Sequence, residues 1–417
     1  MLFGSHSMNR RAFIASAAAG LAALADGQEV SVAFPNLRPM LDGIQPITDE
    51  ERRARQEKAR RLMRQHALDA IVCEGGASMF YFTGVRWSQG ENALAWVLPA
   101  SGETAWLVPE AAGDSARKAI RMGGEVRAWN AAAGVCTALA QLLRDRKARR
   151  AGLEEHVSFA VFDGLRREAP GVELLSADPI TVGCRVIKSP AEIALMQRAN
   201  DITIAAYKAV FPTMREGMTN HELSANVAAA YRALGVQGDA MVIFGKYTAF
   251  PHGSIQPQQL REGDIVLVDD GCTVEGYQSD ITRTTVFGKP TARQREVWNL
   301  ERKAQDAALA ACRPGATCES VDAAARQVLV AAGFGPGYKL PGLPHRTGHG
   351  IGLEGHEWTY LVKGNKTRIE PGMCFSDEPT IAIYGEFGIR LEDCMYATET
   401  GAHMFTAQSP AIDQPFG

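Results

Sequence analysis

The sequence predicts an α/β (α+β) protein with two folded domains behind a short leader. The first observation is size: 417 residues, at roughly 100–200 residues per domain, suggest two domains. The second is a change of pattern. Helix and strand signals alternate to about Ile180, and past Phe250 strands joined by tight glycine turns dominate. The third is the start signal between them, Ser189-Pro190-Ala191-Glu192. Its serine can cap a helix, its proline suits the first turn, and its glutamate completes a capping box. The expected division is leader 1–25, N-terminal domain 26–185 and C-terminal domain 186–417.

The leader reads in two parts. Met1–Ser7 contains Gly4-Ser5-His6-Ser7, which looks like a cloning remnant before a natural start at Met8. Asn9-Arg10-Arg11-Ala12-Phe13-Ile14 then enters a mild apolar run ending Ala23-Leu24-Ala25, an A-x-A cleavage signature. Paired arginines before a weakly apolar stretch resemble a twin-arginine export signal, so the mature chain is expected to be periplasmic or secreted. If the run is only an alanine-rich helix, the chain stays cytoplasmic. The run falls short of the roughly 20 apolar residues that span a bilayer, and no membrane span is expected elsewhere.

After a proline-containing linker (Phe34 to Pro46), Thr48 and Glu51 are spaced as a capping box opening a charged helix to about His66. Leu68–Val72 reads as a buried strand. Ala93–Leu98 and Thr104–Val108 read as two more, joined at Ser101-Gly102. Thr219-Asn220-His221-Glu222 repeats the capping device, and further helices are expected at Arg293–Ala311 and Ser320–Ala332. Apolar residues are 46% and charged residues 22% of the chain, ordinary for a soluble globular protein. A net charge of −3 offers no basic field for nucleic acid. Cys73, Cys136, Cys184, Cys272, Cys312, Cys318, Cys374 and Cys394 form no CxxC pair, so buried free thiols are expected rather than a zinc knuckle. A disulfide stays open to an exported chain.

The C-terminal half contains two acidic hairpins. Asp264–Asp269 is a β-rich run ending in acid, and Tyr277–Val286 returns from the Glu275-Gly276 turn. A turn centred on Val274 and Glu275 sets Asp269 directly opposite Asp280. Opposed Cβ atoms lie about 4.5–5.5 Å apart, so a positive charge must separate the two carboxylates or one must stay protonated. Met373–Glu378 turns on Gly385 and returns as Ile389–Tyr396, which places Glu378 opposite Glu392. Two such hairpins suggest one four-carboxylate cage for divalent cations; the alternative is four unrelated solvated acids. His345-Arg346-Thr347-Gly348-His349-Gly350-Ile351-Gly352, then His356-Glu357, with His252 upstream, favours the cage. Its glycines argue for close backbone approach, and imidazole is a common metal ligand.

These residues resemble the creatinase, prolidase and aminopeptidase P enzymes, the M24B metallopeptidases of the pita-bread fold. The matching text is Pro251-His252-Gly253, Asp269-Asp270-Gly271, Gly276-Tyr277-Gln278-Ser279-Asp280-Ile281-Thr282-Arg283-Thr284, Thr347–Gly352, His356-Glu357, Asp377-Glu378-Pro379 and Ile389-Arg390-Leu391-Glu392-Asp393. Ile187-Lys188-Ser189 with Glu192, and more weakly Tyr81-Phe82-Thr83-Gly84, extend the likeness over most of the chain.

The resemblance implies two divalent metal ions, manganese first with cobalt or zinc as alternatives, held by Asp269, Asp280, His349, Glu378 and Glu392. Asp280 and Glu392 would bridge or nearly bridge them. It implies that Glu378 acts as general base then acid, that His252 and His356 hold substrate and stabilise the tetrahedral intermediate, and that His345 lines the pocket. Arg390 would support the ligand shell. The implied substrate is a proline-containing di- or oligopeptide cut at its Xaa-Pro bond, and the implied assembly is a homodimer, with Trp87 placed to close a neighbour's pocket. Intact ligands disfavour creatine hydrolysis and metal-free binding. Phe250, Trp358 and Tyr360 are candidate walls for a pyrrolidine ring. Some members carry an arginine soon after the His-Glu pair. Here Trp358-Thr359-Tyr360 follows, with Lys363, Lys366 and Arg368 as the nearest cations. Dipeptidase and aminopeptidase action both stay open, as does a non-peptide hydrolase or lyase on the same scaffold.

Overall fold

The computed structural model describes residues 33–90 and 92–416, so the predicted tag and export segment lie outside the described residues. The first region builds a mixed six-stranded sheet in the order Glu125–Trp129, Ala105–Pro109, Ala95–Pro99, Ala70–Cys73, Arg150–Leu153, Glu173–Ser176. The strand Ala70–Cys73 runs antiparallel to Ala95–Pro99 and parallel to Arg150–Leu153. These central strands are almost wholly apolar because both faces are covered. Ile71, Cys73, Trp96 and Leu98 pack with Met63 and Phe82 on one face. Ala70, Val72, Ala95 and Val97 pack with Leu139, Leu143 and Leu165 on the other.

Of the three capping boxes read from the sequence, two form completely and one in half. The Ser189/Glu192 and Thr219/Glu222 boxes are complete, opening the helices Pro190–Val210 and Asn220–Ala233. At Asp49–Gln65 only half the box forms. Thr48 Oγ1 accepts from the Glu51 amide at 3.1 Å, but the Glu51 carboxylate accepts from Arg55 and Ser189, each at 2.8 Å. A side chain already held by a cation and a hydroxyl is not free to close the box. The two further helices expected from the sequence span Ala292–Ala311 and Cys318–Ala331.

The second region sets two main sheets against two helix pairs. One sheet has the order Arg283–Val286, Ile265–Asp269, Met241–Phe244. The other runs Glu357–Leu361, Gly348–Gly350, Cys374–Asp377, Asp393–Ala397, Ala402–Met404. Thr380–Ile383 pairs with Phe387–Arg390 as a separate hairpin. Helix Pro190–Val210 backs the first acidic hairpin and Ala292–Ala311 the second.

The hairpin registers decide where the acids fall. In the second, Asp377 pairs with Asp393 and Thr380 with Arg390, so Glu378 stands across from Glu392 as predicted, with Gly385 at φ 90° in the turn. The first differs by two residues. Val274 pairs with Tyr277 and Val268 with Arg283, which puts Thr282 across from Asp269 and makes Asp280 its diagonal neighbour. The cause is the turn. Glu275 and Gly276 both take positive φ, 49° and 96°, as a two-residue primed turn requires. All eight cysteines are free, seven of them buried. Among the described residues no helix is long and apolar enough to cross a membrane.

The two regions are joined by a buried ion cluster. Glu357 accepts from Arg185 at 2.5 Å, Lys188 at 2.9 Å and the Leu353 amide at 2.9 Å. Burial pushes the Glu357 carboxyl up, but Arg185 and Lys188 overcome this and hold it at about 2. Its unfolded value is about 4.3. The stabilisation is therefore fully present above that pH and is lost as pH falls through about 2. Glu357→Gln should cost about 3–5 kcal/mol at pH 7, because two buried cations lose their partner. Urea titrations should show the gap to wild type closing as pH falls between those two values; a gap independent of pH would mean that the charge contributes nothing.

Candidate metal centre

The two hairpins and the His349 strand meet at one point. Ligand atoms of Asp269, Asp280 and Glu392 lie within 4.8 Å of one another, and so do those of His349, Glu378 and Glu392. Asp280, His349 and His356 form a third such group. Asp280, His349 and Glu392 are each shared between two groups. All five predicted ligands are thus brought together. Gly348 permits the approach, since a Cβ there would sit 2.1 Å from the Ser376 carbonyl oxygen, separating the His349 strand from the Glu378 strand.

Around the acids stands a fixed polar shell. Arg390 is buried; it pairs with Asp269 and donates to the Pro251 carbonyl at 3.0 Å and to Thr282 Oγ1 at 2.9 Å. Thr282 Oγ1 lies 2.6 Å from Asp269 Oδ1 and 2.7 Å from Glu392 Oε2. One hydroxyl proton serves only one of those carboxylates. Glu392 Oε1 is buried without any partner.

The charges are unbalanced in the bare site. Burial, then Asp269, raise Asp280, while burial, then Asp280 and Glu378, raise Glu392. Burial would raise Glu378 too, but its bond to His349 holds it below the ordinary range. Burial would lower His349, but Glu378 and Asp280 raise it. His349 Nδ1 lies 3.0 Å from the Gly350 carbonyl, which can only accept, so Nδ1 carries the proton. Nε2 then faces Glu378 at 3.2 Å and Asp280 at 3.6 Å. An imidazole nitrogen set against two carboxylates, with an orphaned oxygen beside them, fits a site built for divalent cations.

A cavity of about 590 Å³ opens over these groups, and His252, His345, His356 and Arg390 line it with the ligands. His252 and His345 have ring centroids 6.1 Å apart, and His345 Nε2 lies 2.9 Å from Thr380 Oγ1. The His356 and His349 rings have centroids 3.9 Å apart and are tilted by 35°. Burial, then His349 and Arg346, push His356 down to about 4.

The predicted aromatic wall is not there. Phe250 stacks on Tyr384 at 5.0 Å, and Trp358 is exposed. Strand alternation explains Trp358 and Tyr360. Glu357, Thr359 and Leu361 point inward, so the residues between them face the other way. Met241, Pro251 and Val362 supply the apolar lining instead. Lys363, Lys366 and Arg368 do not line the cavity, whereas Arg346 does. Arg346 lines the cavity and Thr282 touches two of the acids, although neither stands out in the sequence beyond the segment that holds it. Trp87 lines a separate groove with Phe80, Arg86, Gly276 and Leu353.

Comparison with known proteins gives a consistent result. The model of metallopeptidase family M24 matches residues 194–399, and that of the creatinase/prolidase N-terminal domain matches residues 55–187. A protein named probable dipeptidase PepE, from Mycobacterium tuberculosis, is 35% identical over 340 residues, covering 80% of this chain and 89% of that one. The Xaa-Pro dipeptidase of Pyrococcus furiosus is 28% identical over 84% of this chain and 97% of that one. The crystal structure of dipeptidase PepE from Mycobacterium ulcerans superposes with a TM-score of 0.82 at 31% identity, over 89% of this chain and 100% of that one.

Replacing Thr282 by valine removes the hydroxyl between Asp269 and Glu392 while keeping its shape. Equilibrium dialysis should show manganese binding weakened about 10–100-fold. Unchanged affinity would remove Thr282 from any orienting role.

Proposed function

The chain belongs to metallopeptidase family M24, and from that premise we propose that it cleaves the bond between an N-terminal residue and proline in dipeptides or short peptides. The observation that carries this reading is the convergence of five metal-competent groups beneath a cavity lined by three further histidines. The relatives named as dipeptidases support the substrate class.

In this reading Asp269, Asp280, His349, Glu378 and Glu392 would hold two divalent cations. When bound, such cations supply Lewis acidity and lower the pKa of water toward neutrality. Glu378 takes the proton of the attacking water and returns it to the leaving proline nitrogen. His356 gives a hydrogen bond to the substrate carbonyl oxygen as charge develops there. His252 and His345 orient the peptide from the opposite wall. Arg390 and Thr282 keep Asp269 and Glu392 in place. Manganese as resident metal, a homodimer, export of the mature chain and a division into 26–185 and 186–417 belong to the same proposal.

Activity should be assayed on Gly-Pro, Ala-Pro and an Xaa-Pro-Xaa tripeptide with manganese present. Turnover of the dipeptides alone marks a dipeptidase, and turnover of the tripeptide marks an aminopeptidase. Chelation should abolish activity and manganese or cobalt should restore it; full turnover of metal-free protein contradicts the mechanism. Glu378→Gln should keep its metal yet lose about 10²–10⁴-fold in kcat. A near-normal rate in that variant would take the proton-transfer role from Glu378.

A further inference from the structure

The rings of His349 and His356 have centroids 3.9 Å apart, tilted by 35°, and both belong to groups close enough to hold a cation. Their outer contacts are opposite in kind. Nδ1 of His349 faces a backbone carbonyl at 3.0 Å. Nδ1 of His356 faces Arg346 Nη2 at 3.0 Å. A carbonyl only accepts and a guanidinium only donates. His349 therefore carries its proton on Nδ1 and turns the Nε2 lone pair inward. In His356, Nδ1 must hold the lone pair, and the proton sits on Nε2.

We propose that Arg346 is a positioning residue that fixes the tautomer of His356, committing its Nε2–H to donate to the substrate carbonyl oxygen and excluding it from the metal's ligands. This rests on the reading of His356 given above and deepens it. An imidazole whose Nε2 bears hydrogen has no lone pair there for a cation, so two neighbouring histidines take different roles. Arg346 is itself braced: its guanidinium lies over the Tyr360 ring at 4.4 Å. The chain of contact runs from Tyr360 through Arg346 and His356 to the reacting carbonyl. Tyr360, which does not line the cavity, thereby acts on the site at second hand.

The test uses the manganese-loaded enzyme and pairs kinetics with nitrogen-15 NMR of the histidine rings, taken with zinc in place of paramagnetic manganese. Wild type should show His356 wholly as the Nε2–H tautomer. Arg346→Met should show a mixture, with kcat lowered about tenfold, less than the ~100-fold or more that outright loss of such a donor costs. KM and manganese affinity should hold. In a His356→Ala background the same substitution should change nothing further. An Nδ1–H tautomer in wild type, or an Arg346→Met effect that persists without His356, overturns the proposal; persistence with a raised KM would mean that Arg346 binds substrate directly. If His356→Ala itself keeps full kcat, the reading of His356 fails and the proposal fails with it. If His356→Ala is impaired while Arg346→Met behaves as wild type, only the proposal fails.

Discussion

The structure is organised around the mutual repulsion of four clustered carboxylates, two of them buried and two half-buried. Two like charges about 4 Å apart repel by about 4 kcal/mol even at an effective dielectric of 20. Several such pairs approach the whole stability of a domain, about 5–15 kcal/mol. Asp269, Asp280, Glu378 and Glu392 are nonetheless set together by two rigid hairpins. Arg390 offsets part of this charge at Asp269, and the bare site answers the rest by raising Asp280, Glu392 and His349. Divalent cations would remove the need for those protons. The cost of folding the empty cage and the affinity of the filled one are thus two aspects of one arrangement.

The rest of the fold holds that arrangement still. Helices Pro190–Val210 and Ala292–Ala311 back the hairpins, and Gly348 lets two ligand strands touch. The N-terminal region acts at a distance. Its Arg185, together with Lys188 from just past the boundary, grips Glu357, whose chain neighbour His356 reaches into the cavity. An interdomain ion cluster therefore ends one residue from a group proposed to meet the substrate. This links the six-stranded sheet region to the chemistry without giving it a place in the cavity wall.

Much of this was legible in the sequence, for reasons that can be named. Gly385 marked the second turn, so counting back placed Glu378 against Glu392 correctly. The first hairpin was miscounted by two because Glu275 adopts positive φ, which a glutamate does not advertise. Asp280 still reached Asp269, since a diagonal neighbour in a ladder stays on the same face. Capping signals at Ser189 and Thr219 were reliable because both halves of each box are local. Thr48 misled because Ser189, 141 positions later in number, competes for Glu51. The aromatic wall failed for a related reason. Residue type suggested it, but facing is set by strand alternation, which puts Trp358 and Tyr360 on the side opposite Glu357 and Thr359. Arg346 was hidden among the histidines and glycines of its segment, and only its contact with His356 gives it meaning.

The central claim is that these hairpins enclose a pair of cations. Anomalous diffraction at the manganese edge, from crystals grown with manganese, tests it directly. The account predicts two peaks about 3.5–4 Å apart, bounded by Asp269, Asp280, His349, Glu378 and Glu392, with His356 outside coordination distance. A cage without peaks, or peaks held by other residues, would contradict it.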